Sequence, residues 1–451
     1  MGKIADKLLG YMAEGTGHDV EYQEIRDLHV TAINERFKER VDKIKLLSKR
    51  ARDAEITEVR RLEDVIPLLL PHTAYKSYPE SALTGKKWDK LVKWLETVSA
   101  RSIDDVDRDG IDDIDDWIQR LMDKGHYVSC SSGTTGKSAM LVASGKDLEF
   151  AKQDIVKAYC WGAGVEAKPE YRIFGLAPVA HVPRNVAVGN ALMDAFSLPD
   201  ADRFQYPVPP ITIGSITKMI TLRKSISEGT ALPQDIAEYE ATSAARQKAV
   251  DEAINLSADA LIEARHEKIF LMGMWSSFHA VAAAVRNRGY SAKDFHPDNI
   301  IYVGGGLKGA QLPPDYREFF YETFNIKPER NFMMYSMQEI NSTMPRCQEG
   351  GRYHIPPWLV CLPLNIGGDE LLPITAGEEI DGRAAFFDLS MDGRWGGVIT
   401  GDKIQVNFGP CQCGAKSPSI RDSVVRFSEL QEGDDKIACS GTVDAYVRGI
   451  S

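Results

Sequence analysis

The sequence predicts an α/β protein with parallel-rich sheets flanked by helices, a helical lead-in before them and a small β-rich subdomain after them. Three observations carry this reading. Strand-like apolar runs alternate with helical patterns between residues 126 and 345, the arrangement that gives parallel pairing. With 451 residues, 43% of them hydrophobic, the chain can bury a large core and build two or three structural units. Beyond Ile355 the texture changes to short strands with Gly/Asp turns. The divisions expected are 1–125 for the lead-in, 126–345 for the α/β core, 346–430 for the β-rich subdomain and 431–451 for a terminal remnant.

In chain order, Ile25, Leu28, Ile33, Phe37, Val41 and Ile44 recur at helical spacing between about Val20 and Ala54. Trp88 to Val98 reads as a further helix, and the prolines at Pro71 and Pro79 interrupt regular structure before it. His72, between those prolines, is expected to be buried or capping rather than catalytic. Asp105, Asp107, Asp109, Gly110, Asp113 and Asp116 occupy the spacing of a calcium-binding EF-hand loop. Asp112 stands where that loop docks an apolar residue, however, and Asp116 is too short for the bidentate glutamate. Ile114, Trp117, Ile118, Leu121 and Met122 form one helical stripe with acids at its start and Gly125 at its end, so a helix is favoured. Strands are then expected at 171–178, 269–274, 299–303 and 331–335, with helices over 235–266, 278–286 and 314–324.

A net charge of −11 argues against nucleic acid or an anionic membrane as the main partner. No apolar run approaches the roughly 18 residues that would span a bilayer, and the N-terminus has no signal-like apolar core. Gly2 does not open a myristoylation signal, because position 6 is Asp6. Seven cysteines in a chain without an export signal point to a reduced, cytoplasmic setting in which clustered cysteines hold metal rather than disulfides.

The densest chemical signal is Ser129-Cys130-Ser131-Ser132-Gly133-Thr134-Thr135-Gly136-Lys137, flanked by strand-like residues. Hydroxyls, backbone N–H groups and a cation in such a loop suit a phosphate. Gly133 and Gly136 are too close together for the G-x-x-x-x-G-K pattern, which excludes a nucleotide-hydrolase P-loop. Gly304-Gly305-Gly306 ends the third strand of the alternating region, and Tyr335-Ser336-Met337-Gln338-Glu339 ends the fourth. Ligands of parallel sheets bind at the carboxyl ends of strands, where an aromatic ring can stack on a base and a carboxylate can hold magnesium. Asp402, after the Gly397–Gly401 turn, could bind a sugar diol, and Arg426 follows it.

Together these motifs, in this order over about residues 70–445, resemble the adenylate-forming (AMP-forming acid:CoA ligase) superfamily, most closely its phenylacetate–CoA ligase-like branch. The chain is also similar to acyl-protein synthetases of luciferase operons in its Arg394-to-Lys403 and Gly433-to-Ile437 runs. The resemblance implies that Ser131, Ser132, Gly133, Thr134, Thr135, Gly136 and Lys137 bind the ATP phosphates and that Gly305 and Gly306 frame the nucleotide. It implies that Tyr335 stacks on adenine, that Asp402 and Arg426 hold the ribose, and that Glu339 holds Mg²⁺. Lys137, Glu339 and His181 become the catalytic candidates, His181 standing beside the acyl pocket. Ser336 and Gln338 replace the family's usual Gly and Thr in the Tyr-Gly-x-Thr-Glu motif. The family's cap of roughly a hundred residues after the hinge is not in this sequence, whether natively or because the sequence is partial. The implied reaction converts a carboxylic acid and ATP to acyl-AMP and pyrophosphate, then passes the acyl group to CoA or to a protein or carrier thiol. Trp275, Phe278 and His181 are candidate pocket residues for aromatic or long apolar acids. An exposed lead-in could serve an oligomer.

Cys411-Gln412-Cys413-Gly414, with Cys347 and His354 upstream, would make a three-Cys, one-His tetrahedral zinc site. A full set of protein ligands makes the expected role structural. Cys130, beside the hydroxyl-rich loop, is the one other cysteine considered as an acyl acceptor.

Overall fold

The structure, a computed structural model, describes residues 2–130, 138–304, 307 and 311–430. The chain forms two compact units, one made of Met1–Lys157, Val182–Arg184 and Met334–Ser451, the other of Ala158–His181 and Asn185–Met333.

The second unit is built on four parallel strands in the order Arg172–Leu176, Ile269–Gly273, Ile300–Val303 and Asn331–Phe332. Aromatic and β-branched residues fill these runs, and Ile269, Phe270, Leu271, Ile300 and Ile301 are completely buried. The helices Pro233–Glu263, Trp275–Asn287 and Tyr316–Phe324 fall close to the stretches expected from sequence. Phe278, Val281 and Val285, at helical spacing, meet Phe320 and Phe324 in one apolar cluster. Tyr159 is fully buried among Phe196, Phe270 and Phe332, and its hydroxyl donates to the Ile301 carbonyl at 2.9 Å.

Two expectations fail here. Trp275 and Phe278, expected at an acyl pocket, pack into the core among the described residues: Phe278 is fully buried and stacked on Phe320 at 4.5 Å, and Trp275 packs edge-on against Tyr316 and Phe320. Their helical spacing belongs to the core. The stretch 331–335 is not one strand. It breaks at Met333, so Asn331–Phe332 joins the parallel sheet while Met334–Tyr335 pairs antiparallel with Met344–Pro345 in the other unit.

The first unit centres on a sheet ordered Arg352–His354, Ser419–Arg421, Gly397–Asn407, Glu379–Asp388 and Leu359–Leu364, antiparallel throughout. Gly397–Asn407 pairs in addition with Leu70–Pro71, in parallel, and with Val425–Arg426. The lead-in is helical as expected, with helices Lys3–Glu14, Tyr22–Arg40, Lys45–Asp53 and Trp88–Val98. The continuous pattern read between Val20 and Ala54 is interrupted at Ile44, whose backbone is extended (φ −97°, ψ 106°) and whose side chain is fully buried. The acidic run is a helix start rather than a calcium loop. Asp113 caps Ile114–Asp123 by accepting the Asp116 N–H at 2.9 Å, and Arg120 donates to the Asp109 carbonyl at 2.7 Å. Among the described residues, no helix is long and apolar enough to cross a membrane.

Candidate functional site

The turn that follows Tyr335 is held almost entirely by buried side chains. Gln338 and Glu339 sit in a turn that leaves the short Met334–Tyr335 strand. Among the described residues no sheet partner takes up the backbone groups of 336–343, and side chains take up most of them. Arg184 donates to the carbonyls of Met337 (2.8 Å) and Asn341 (2.9 Å), and Arg394 to that of Gln338 (2.8 Å). On the donor side, Asp388 accepts the N–H groups of Asn341 (2.8 Å) and Ser342 (2.9 Å), and Asp154 accepts that of Thr343 (2.8 Å).

Asp147 completes the arrangement. It caps the helix Gly145–Ala163 by accepting the Ser144 N–H at 2.7 Å. It also accepts from Asn341 Nδ2 (3.2 Å) and from the N–H groups of Asp392 (2.7 Å) and Gly393 (2.8 Å). All three carboxylates are buried to 3% exposure or less. Burial pushes Asp154 up to about 7, against the opposing effect of its Thr343 hydrogen bonds. Multiply bonded buried carboxylates of this kind fix a loop's shape before any ligand arrives. None of Arg184, Arg394, Asp147, Asp154 and Asp388 was singled out from sequence. Only Ser144-x-x-Asp147 carries a local signal, that of a capping box.

Tyr335, Asp402 and Arg426, three of the expected nucleotide residues, come together. The Tyr335 hydroxyl donates to Asp402 Oδ2 at 2.6 Å. Asp402 and Arg426 are directly opposite on paired strands, with Nε 3.8 Å from Oδ1. Burial, reinforced by the Asp402 carboxylate, holds the Tyr335 phenol well above its usual range, so it stays a donor. Ser336, Gln338 and Glu339 follow on the clamped turn. Glu339 is half-buried and has no hydrogen-bond or ion-pair partner among the described residues, which leaves its oxygens available to a hard cation.

His181 is exposed and lies in the other unit, its N–H bonded to the Ile211 carbonyl at 2.8 Å. Ser131, Ser132, Gly133, Thr134, Thr135, Gly136, Lys137, Gly305 and Gly306 lie outside the described residues. Cys130 is buried, and that burial pushes its thiol up to about 12, which disfavours the thiolate at neutral pH.

Cys347, His354, Cys411 and Cys413 form the second cluster, their donor atoms all within 4.8 Å of one another. Cys347 and Cys411 sulfurs are 3.8 Å apart, and Cys413 Sγ lies 3.5 Å from His354 Nε2. Two thiolates on one tetrahedral zinc stand about 3.8 Å apart, and a thiolate and an imidazole nitrogen about 3.6 Å. The donor set and its spacing therefore fit a zinc ion, and no disulfide is formed. Gly350 makes the pocket possible, since a Cβ there would sit 2.5 Å from Cys411 Sγ and 3.1 Å from Cys347 Sγ. Gly414 takes φ +89° to close the knuckle, with its N–H on the Cys411 carbonyl at 3.0 Å. Burial opposes ionisation of Cys347, but hydrogen bonding to His354 and at Arg352 outweighs it and lowers the thiol to about 6. Cys413, by contrast, is pushed up to about 12 by burial and by the neighbouring cysteines. Without a cation, one thiolate makes the next costly.

No protein-family model and no curated protein matches the chain. Solved structures do. An open conformation of 2-hydroxyisobutyryl-CoA ligase in complex with 2-HIB-AMP and CoA matches with a TM-score of 0.54 at 11% identity, over 92% of this chain and 77% of that one. The same ligase in the postadenylation state, in complex with R3-HIB-AMP, matches with a TM-score of 0.55 at 10% identity, over 91% and 69%. At such identities the likeness establishes a shared fold.

Proposed function

We propose that this chain activates a carboxylic acid with ATP, forming acyl-AMP and releasing pyrophosphate, and then passes the acyl group to a thiol, CoA first among the candidates. The observation that carries the reading is the Tyr335–Asp402–Arg426 group at the head of a turn whose backbone carbonyls are held by buried side chains and whose Glu339 has no ion-pair partner among the described residues. The shared fold supports it, because the matched ligase binds an acyl-AMP and CoA. In this reading Tyr335 offers a ring to the adenine, and Asp402, oriented by the Tyr335 hydroxyl and by Arg426, accepts from the ribose hydroxyls. Glu339 holds Mg²⁺, which screens the phosphate charge as the carboxylate approaches. In the same reading the Gln338 amide would donate to a phosphate oxygen, and the Ser131–Lys137 loop with Gly305 and Gly306 would take the remaining phosphates. Arg184, Arg394, Asp388, Asp154 and Asp147 act through the turn, holding Glu339 in one place so that little reorganisation is left for the reaction. His181 serves the acyl group. Zinc at Cys347, His354, Cys411 and Cys413 is structural.

Pyrophosphate release from Mg·ATP, tried with aromatic, hydroxy and fatty acids, tests the reading. Release without CoA identifies adenylation, and stimulation by CoA, a carrier protein or an amine identifies the acceptor. Glu339→Gln should lower the rate on the order of a hundredfold or more, with stability changed by no more than about 0.5 kcal/mol. ATP binding with no release for any acid would replace the reading by that of a non-catalytic nucleotide-binding subunit.

A further inference from the structure

The cysteine–histidine cluster does not end at its four donor atoms. His354 is fully buried; its Nε2 faces Cys413 Sγ, and its Nδ1 lies 3.1 Å from Ser417 Oγ. The same Oγ lies 3.3 Å from Nδ1 of His18, a residue 399 positions away in sequence. A hydroxyl has one proton to give, so it can donate to only one of these rings and must accept from the other. Metal on His354 Nε2 decides which. It fixes the ring proton on Nδ1, that N–H donates to Ser417 Oγ, and the Ser417 O–H is left to donate to His18 Nδ1. Without metal the His354 proton can sit on Nε2, toward Cys413, and the order of donors can reverse.

His18 is well placed to transmit this choice. Its carbonyl accepts the N–H groups of Lys416 (2.8 Å) and Ser417 (3.2 Å), directly after the Cys411–Gly414 knuckle. The segment it belongs to docks through a few further contacts. Glu21 pairs with Lys416 at 3.3 Å, the Tyr22 ring lies 4.6 Å from Phe408, and His29 Nε2 meets the Pro357 carbonyl at 2.8 Å. The ion pair is half-exposed and contributes little, which leaves the histidine–serine–histidine chain, half-buried at His18, and the buried His29–Pro357 bond as the specific links.

We infer that Ser417 and His18 are the outer layer of a site for a thiophilic divalent metal, and that metal binding fastens residues 16–29 to the sheet. The inference rests on the metal reading above. Reciprocity makes it quantitative: if metal stabilises docking of the segment, loss of docking must weaken metal binding by the same factor.

The test uses the full chain, zinc-loaded and chelator-treated, with metal content and hydrogen exchange measured on the same samples. Removing metal should speed exchange in peptides covering 16–29 while leaving the strand Ile269–Gly273 of the other unit unchanged. Zinc competition against bound cobalt, read by its thiolate absorption, should show metal held tenfold to a hundredfold more weakly by Ser417→Ala and His18→Phe. Ser417→Thr, which keeps the hydroxyl, should bind as the parent does. Metal loss with unchanged exchange in 16–29, or parental affinity in both weakened variants, overturns the link while leaving the metal site standing. A parent chain that holds neither zinc nor cobalt overturns the metal reading itself, and the link with it.

Discussion

Asp154 shows how a single residue can set the pH response of the clamped turn. Its carboxyl accepts the Thr343 N–H at 2.8 Å from a fully buried position, and burial raises it to about 7. An aspartate in an unfolded chain titrates near 3.9. Between those values the native state keeps a proton that the unfolded state has lost. Its contribution to stability is therefore full below about pH 4 and declines as pH rises, by at most about 1.4 kcal/mol per unit, until it levels above about pH 7. Asp154→Asn keeps an oxygen for Thr343 but has no proton to lose. The variant should gain on the parent steadily from pH 5 to 7 and then hold a constant lead, as read from urea unfolding at each pH. A lead that does not change with pH would mean that Asp154 is ionised in the native state throughout that range. Neither outcome depends on what the protein binds.

At the scale of elements, close backbone approach decides where a side chain is tolerated. Gly393 donates its N–H to Asp147 at 2.8 Å, and a Cβ there would lie 2.8 Å from that carboxylate and 2.8 Å from the Ser144 N. Both atoms are already committed to hydrogen bonds, so neither can give way. Gly393→Ala is expected to cost roughly 1–3 kcal/mol and to loosen the 337–343 turn, seen as faster hydrogen exchange there. Gly189, inside the helix Pro183–Phe196 with open space around it, is the control: Gly189→Ala should stabilise by up to about 1 kcal/mol. The same contacts explain what sequence could and could not reveal. The parallel strands and their helices were legible because each is an apolar pattern complete within its own residues. The break at Met333 was hidden inside an unbroken apolar run, Phe332-Met333-Met334. Cys-x-Cys-Gly announced the cysteine–histidine cluster, and Tyr335, Asp402 and Arg426 were found through motifs. Asp147 could be read only as a cap, because its other partners are 194 to 246 positions away. The His18–Ser417 contact has no local signature either.

At the scale of the whole molecule, the lead-in completes the antiparallel sheet rather than decorating it. Arg36, 3% exposed, gives both Nε (3.0 Å) and Nη2 (2.8 Å) to the Leu389 carbonyl, and Arg40 reaches the Asp392 carbonyl. Phe37 packs edge-on to Trp395, each 1% exposed, and the Trp395 indole donates to the Leu68 carbonyl at 2.9 Å. Removing residues 1–60 would strip buried charge-assisted bonds, each contributing about 1.5–3 kcal/mol, and uncover the Trp395 face. It would also release the Leu389–Gly393 turn whose Asp392 and Gly393 amides hold Asp147. The parallel-sheet unit has its own core around Phe270, Phe278 and Phe320 and takes none of its residues from 1–60. A chain beginning at residue 61 should therefore lose amide protection in Glu379–Asp388 and Gly397–Asn407 while keeping it in Ile269–Gly273 and Ile300–Val303. Protection kept in all four strands would make the lead-in an appendage, and protection lost in all four would make the two units a single cooperative fold.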